Sequence, residues 1–119
     1  MYLTVVLFRQ GWKTGPDEEG YVGAPCCHGF GSLHYENTKL RFIVIDRLGS
    51  DLEKYFKSGD LPMPLVTVLR IGMEVLDTLE FIHAQNYVHN DIKAQNLLTG
   101  AEATDRIFLV DFGLACKYR

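Results

Sequence analysis

Three oxygen-bearing side chains in the C-terminal part of this 119-residue chain, Asp91, Asn96 and Asp111, have the types and spacing for phosphate chemistry. The run His89-Asn90-Asp91-Ile92-Lys93-Ala94-Gln95-Asn96 has the spacing H-x-D-x-x-x-x-N, and Asp111-Phe112-Gly113 follows at the end of an apolar strand-like stretch. Phosphoryl transfer asks little covalent help of a protein. It needs a carboxylate to orient a hydroxyl and accept its proton, oxygen ligands for magnesium, and positive charge at the phosphates. Asp91 is the candidate base, Lys93 the cation for the transferred group, and Asn96 with Asp111 the hard oxygen ligands that magnesium prefers. A surface turn rich in Asp and Asn would account for any one of these residues, and a packed histidine for His89. The signal lies in the two motifs together, in this order.

Such a loop needs a rigid floor, and the sequence offers a helix just before it. From Pro64 onward Leu65, Val68, Leu69, Gly72, Val75, Leu76, Leu79 and Ile82 recur at helical spacing and mark one apolar face. That face predicts buried Leu76 and Leu79. Upstream, Ser50-Asp51-Leu52-Glu53 fits a capping box that starts a short helix running to about Phe56, with Gly59 as the stop. HGFGSLHYENTKLRFIVID predicts a hairpin around Glu36-Asn37, its second strand holding the apolar run Phe42 to Ile45 with Ile43 to Ile45 buried, while Gly29 and Gly31 read as turn residues. Short β-like pieces follow the long helix at Tyr87-Val88, Asn96 to Leu98 and Ile107 to Val110. Residues 1–20 divide into an apolar β-like stretch, Tyr2 to Phe8, and the turn-rich GWKTGPDEEG.

Composition narrows the class. With 47% hydrophobic and 12% aromatic residues the chain can build the core of one globular domain. A net charge of -3 and a pI near 5.7 provide no basic field for direct nucleic-acid or polybasic membrane binding. The run Tyr2 to Phe8 is far too short to span a bilayer and has no cationic residue before it. Three cysteines, two of them adjacent, make no disulfide framework, so the expected compartment is a reducing one, nucleus or cytoplasm. Cys26-Cys27-His28 lacks the ligand spacing of a zinc site, and buried small side chains near a strand edge are the better reading. His34 and His83 are expected to be solvent-exposed.

YVHNDIKAQNLL, LVDFGLACKYR and RFIVIDRLGSDL together resemble the vaccinia-related kinases, in the casein kinase group of the Ser/Thr protein kinases, over Tyr21 to Arg119. Lys93, two residues after the aspartate, has the Ser/Thr-type placement. The resemblance implies an α+β, protein-kinase-like fold in partial form: a small-lobe strand remnant, a hinge, and the N-terminal half of the helical large lobe. It implies an unassigned segment over 1–20 and a partial kinase domain over 21–119, with the hinge at about 46–49, the catalytic loop at 89–96 and Asp-Phe-Gly at 111–113. Ile45 would be the gatekeeper, and the adenine edge of ATP would donate to the Asp46 carbonyl and accept from the Leu48 amide. Asn96 and Asp111 would complete the nucleotide site through Mg2+. The implied activity is ATP-dependent phosphorylation of protein serines and threonines, with chromatin-associated substrates suggested by the family alone.

Several family features are missing from the sequence. His34 stands where a third glycine would complete a Gly-rich loop after Gly29 and Gly31, no V-A-I-K strand is present, and Lys13 sits in a turn-rich context. The chain reads as a fragment or a truncated product, ending before an activation segment. Asn90 replaces the arginine of the H-R-D form, so no cation adjoins Asp91 to bind an activating phosphate. Two alternatives stand beside the kinase reading: a catalytically silent fragment acting as an interaction module, and a small-molecule phosphotransferase sharing the H-x-D-x-x-x-x-N loop.

Overall fold

The computed structural model of the chain describes residues 23–25, 27–59, 62–101 and 106–118. The expected N-terminal segment over 1–20, with its stretch Tyr2 to Phe8, lies outside the described residues, as do Tyr21, Val22 and Cys26.

Strands β1 (Cys27–Tyr35) and β2 (Thr38–Ile45) form an antiparallel hairpin closed by the pair Tyr35↔Thr38. Glu36 and Asn37 both take positive φ, 45° and 64°, the backbone that lets a two-residue turn match the twist of its strands. Gly29 and Gly31 are not turn residues as the sequence implied; both lie within β1. Gly31 is opposite Phe42, and a Cβ there would stand 2.7 Å from the ring, so the glycine makes room for a cross-strand aromatic. The stretch Ile43 to Ile45 is likewise less buried than expected: Val44 is exposed and Ile43 and Ile45 half-buried. Among the described residues β1 and β2 pair only with each other, and most of their residues are exposed.

After the hairpin come β3 (Leu48–Asp51), helix α1 (Leu52–Ser58), helix α2 (Leu65–Ala84), β4 (Tyr87–Val88), a 3₁₀ turn (Ala94–Asn96), β5 (Leu97–Gly100), β6 (Ile107–Leu109) and β7 (Cys116–Lys117). Strands β3, β5 and β6 make an antiparallel sheet in that order, and β4 pairs with β7. The core lies where this sheet meets the helices, with Leu52, Ile82, Leu97, Ile107 and Leu109 buried together. The carbonyl of Gly23 accepts from the Leu109 amide at 2.6 Å, which seats the segment before the hairpin on β6.

The capping box expected from Ser50 and Glu53 is displaced by one residue. Asp51 is the N-cap, its carboxylate accepting from the Lys54 amide at 3.0 Å, and Glu53 turns outward to other partners. Helix α1 stops before Gly59, which is extended (φ -91°) rather than left-handed. Helix α2 begins after Pro64, whose carbonyl accepts from the Thr67 and Val68 amides. It ends at Gln85, with Asn86 in the left-handed region (φ 66°) and its amide on the His83 carbonyl, a common helix stop.

The buried face of α2 is rotated from the one read in the sequence. Ile82 and Thr78 are buried and Ile71, Glu74, Val75 and Leu79 half-buried, whereas Leu65, Leu69 and Leu76 are exposed, Leu76 by 66%. The physical reason is that α2 is apolar around most of its circumference, so periodicity alone offers two faces and only the position of the sheet selects one. The short strands keep their places to within a residue, with Asn96 ending the 3₁₀ turn rather than opening β5 and Val110 following β6.

Candidate active site

The loop between β4 and β5 is built on a buried histidine. His89, 1% exposed, donates from Nε2 to the Val110 carbonyl at 3.0 Å and accepts at Nδ1 from the Asp91 amide at 3.2 Å. A carbonyl only accepts and an amide only donates, so the two bonds together define the neutral Nε2–H tautomer. The same ring meets Phe112 edge-on, centroids 4.8 Å apart. His89 therefore ties the loop to the Asp-Phe-Gly turn as a packed, hydrogen-bonded residue.

Asn96 orients Asp91. Its Nδ2 donates to the Asp91 carbonyl at 2.9 Å and to the Asp91 carboxylate at 3.0 Å, while its own carbonyl accepts from the Val110 amide at 2.9 Å. Lys93 Nζ stands 3.3 Å from the same carboxylate, half exposed, a reach that places its charge at the loop's open side. Asp111 has φ 60°, tolerable for Asp, and its Oδ1 accepts from the Gly113 amide at 3.2 Å, closing a local turn.

Two observations bear on a metal. Asn96 is 95% buried, since 5% of it is exposed, and its Oδ1 takes no hydrogen bond among the described residues although Nδ2 makes two. Asp111 is exposed and keeps its second carboxylate oxygen free of hydrogen bonds among those residues. No group of three or more His, Cys, Asp or Glu able to hold a metal occurs among the described residues. This donor set fits magnesium, which takes one or two protein oxygens and completes its shell with water and phosphate rather than an all-protein cage.

The expected nucleotide-contacting segment is continuous: Ile45 closes β2, Asp46 and Arg47 lie outside any strand, and Leu48 opens β3. The Asp46 carboxylate lies 2.6 Å from His28 Nε2, so His28, for which the sequence suggested no role beyond a rejected zinc site, joins β1 to this segment. A cavity of about 420 Å³ lies elsewhere, between α1, α2 and β6, and none of Asp91, Asn96 or Asp111 lines it.

Some contacts escaped the sequence. Gln95 Nε2 donates to Glu53 at 2.7 Å, joining the loop between β4 and β5 to α1, and Lys57 lies 3.2 Å from the same carboxylate. The Gln95 amide, then Lys57, hold the exposed Glu53 carboxyl below the usual glutamate range. The Glu53/Lys57 spacing was readable as a helical i,i+4 pair; the Gln95 bond, bridging 42 positions, carried no local signal. Glu74 similarly reaches the Ile107 amide at 3.0 Å, and Asn90 reaches past the Asp-Phe-Gly turn, both through tertiary approach alone.

Comparison with known proteins places this geometry among relatives. The protein kinase domain family matches residues 32–119. B1 kinase of vaccinia virus (strain Western Reserve) is 39% identical over 107 residues, covering 90% of this chain and 35% of the viral protein. Human serine/threonine-protein kinase VRK2 is 42% identical over 98 residues, covering 82% of this chain and 19% of its own length. Among solved structures, vaccinia related kinase 3 superposes with a TM-score of 0.70 at 30% identity, over 82% of this chain and 29% of that one. The chain thus spans about a third or less of the length of the curated relatives it matches.

Proposed function

Since this chain belongs to the protein kinase family, with vaccinia-related kinases among its relatives, we propose that it contributes the catalytic loop and metal-ligand turn of an ATP-dependent protein Ser/Thr kinase. The observation that carries the reading is the setting of Asp91. Its carboxylate is oriented by Asn96, has Lys93 at 3.3 Å, and hangs on a loop bonded through His89 and Asn96 to the residue just before Asp111.

In this reading Asp91 accepts the proton of a substrate serine or threonine as that oxygen bonds to the γ-phosphorus of ATP, and ADP departs with the electron pair of the broken P–O bond. Lys93 places positive charge beside the group in flight. Asn96 Oδ1 and Asp111 would hold magnesium, which when bound neutralises charge on the phosphates. Ile45 and the backbone of Asp46 and Leu48 would border the adenine. Protein substrates follow from the same reading, with chromatin-associated acceptors within its scope.

A chimera in which residues 32–119 replace the matched stretch of vaccinia B1 kinase tests this directly. The expected result is ATP-dependent phosphorylation of histone or casein that falls by about 10² to 10⁴ in kcat on Asp91→Asn. Activity that survives this substitution unchanged would sink the assignment. A second reading, a catalytically silent interaction module, draws support from the broad exposed apolar side of α2 and from a sequence with no phosphate-anchoring lysine in a V-A-I-K strand. Absence of any ATP binding by the chain would favour it.

A further inference from the structure

Asn90 stands between the buried His89 and the carboxylate of Asp91, and its own backbone is left-handed, φ 67°. Its Nδ2 reaches 24 residues along the chain to the Leu114 carbonyl at 3.1 Å and also contacts the Cys116 sulfur at 3.2 Å. We propose that Asn90 is a positioning residue whose carboxamide latches the segment after Gly113 onto the catalytic loop, keeping Asp91 and Asp111 in mutual register without any phosphorylated side chain. The proposal rests on the kinase reading and specifies how that site is held.

Strand pairing alone holds this segment weakly. Strand β7 pairs with β4 through two residue pairs, Tyr87↔Lys117 and Val88↔Cys116, and so short a ladder is marginal by itself. Its far end is tied to the end of α2, where Tyr118 donates from its amide to the Asn86 carbonyl and from its hydroxyl to the His83 carbonyl. Its near end, where the chain leaves the Asp-Phe-Gly turn, is met by Asn90. Upstream of Asp111 the catalytic loop grips Val110, through His89 at the carbonyl and Asn96 at the amide. Downstream it grips Leu114 through Asn90. The metal-ligand turn is therefore bracketed on both sides by the loop that carries the base.

A cation at this position would secure the segment only by way of a phosphate on it. A neutral carboxamide bonds the backbone itself, so the contact forms as soon as the chain folds. The competing explanation is that asparagine is present only because it tolerates positive φ. Glycine would satisfy that need better, and aspartate as well, yet neither carries the N–H donors that meet Leu114 and Cys116.

That contrast sets the experiment. Amide hydrogen exchange is followed in the full chain and in Asn90→Gly and Asn90→Asp, comparing Cys116, Lys117 and Tyr118 with the amides of β5 and β6. Both variants are expected to exchange about fivefold faster at Cys116–Tyr118, the effect of losing a hydrogen bond of ordinary net strength, with β5 and β6 unchanged. Wild-type protection in either variant would overturn the proposal, and so would an equal loss over β5 and β6, which would make Asn90 a general stabiliser. Calorimetric titration of the same proteins with ATP, with and without magnesium, adds a second readout. The magnesium-dependent gain in affinity should shrink in both variants while metal-free binding stays as in wild type; an unaltered gain refutes the positioning role. If the wild-type chain binds no ATP, the silent-module reading is favoured, and the exchange contrast still decides whether the latch exists.

Discussion

Asp91 and Asp111 are both acidic residues of the proposed site, yet their surroundings differ in a way that would divide their tasks. Asp91 is half-buried and bonded to Asn96, whereas Asp111 is exposed, in a left-handed turn, with one oxygen committed to Gly113. In the B1 kinase chimera, where the missing lobes are restored, Asp111→Asn is accordingly expected to weaken magnesium-dependent ATP binding outright, and Asp91→Asn to leave nucleotide affinity nearly intact, since a proton acceptor contributes in the transition state. Calorimetry on the two variants checks this, and equal losses would contradict it. His89 belongs to the same scale. His89→Leu strands the Val110 carbonyl and the Asp91 amide, each costing about 1–3 kcal/mol if left unpaired in the interior. Urea denaturation should show the loss, and wild-type stability would mean that the two bonds are unimportant. The candidate site residues could be read from the sequence because spacing is local: eight consecutive positions hold Asp91, Lys93 and Asn96. Asn90 was visible only as a departure, because its partners lie 24 and 26 residues away.

Helix α2 shows where pattern reading reaches its end. Its existence and its start after Pro64 were plain in the sequence, but Leu76 proved exposed and Ile82 fully buried. In the chain as it stands Ile82→Ala should cost about 2–5 kcal/mol through cavity formation, while Leu76→Ala should change stability by no more than about 0.5 kcal/mol. Thermal or urea melts of the pair decide whether the face is assigned correctly. Helix α1 has a similar lesson at its start: two adjacent residues, Ser50 and Asp51, could each cap it, and the backbone chose Asp51. Asp51→Ala should cost about 0.5–2 kcal/mol and Ser50→Ala much less. The bond from Gln95 to Glu53 adds a pH dependence. Because the folded state holds this carboxyl below its ordinary value, the contribution is present above the ordinary glutamate pKa and is lost as pH falls through the depressed one. The melting difference between wild type and Gln95→Leu should therefore be largest at pH 7 and shrink as pH falls below the ordinary glutamate range.

On the scale of the whole molecule, apolar surface is unevenly covered. The radius of gyration of 15.4 Å exceeds the ~13 Å expected of a compact chain this long, and Phe30, Leu65, Val66, Met73 and Leu76 are each more than 60% exposed. Surface of this kind drives self-association, so the chain should sediment as larger species with rising concentration, and Leu69→Lys with Leu76→Lys should shift it toward monomer. The chain alone is also expected to have no measurable protein kinase activity, since its sequence holds neither a complete Gly-rich loop nor a V-A-I-K lysine. Robust casein or histone phosphorylation by the purified chain, abolished by Asp91→Asn, would contradict that expectation. The join between hairpin and sheet has a mechanical consequence. Strand β3 is already part of the sheet, pairing Leu48 with Gly100 and Asp51 with Leu98, and Gly49 packs so closely on Thr99 that a Cβ would clash. Only Asp46 and Arg47 lie free of strands between β2 and that anchored segment, so if they serve as the proposed hinge they would pivot a lever whose arm is the hairpin. An eight-residue arm is ~27 Å long, so a rotation of ~10° at these two residues would sweep the Glu36-Asn37 tip through ~5 Å. The clasp between His28 and Asp46 sits at the fulcrum, where a small change in one bond has the greatest leverage on the tip.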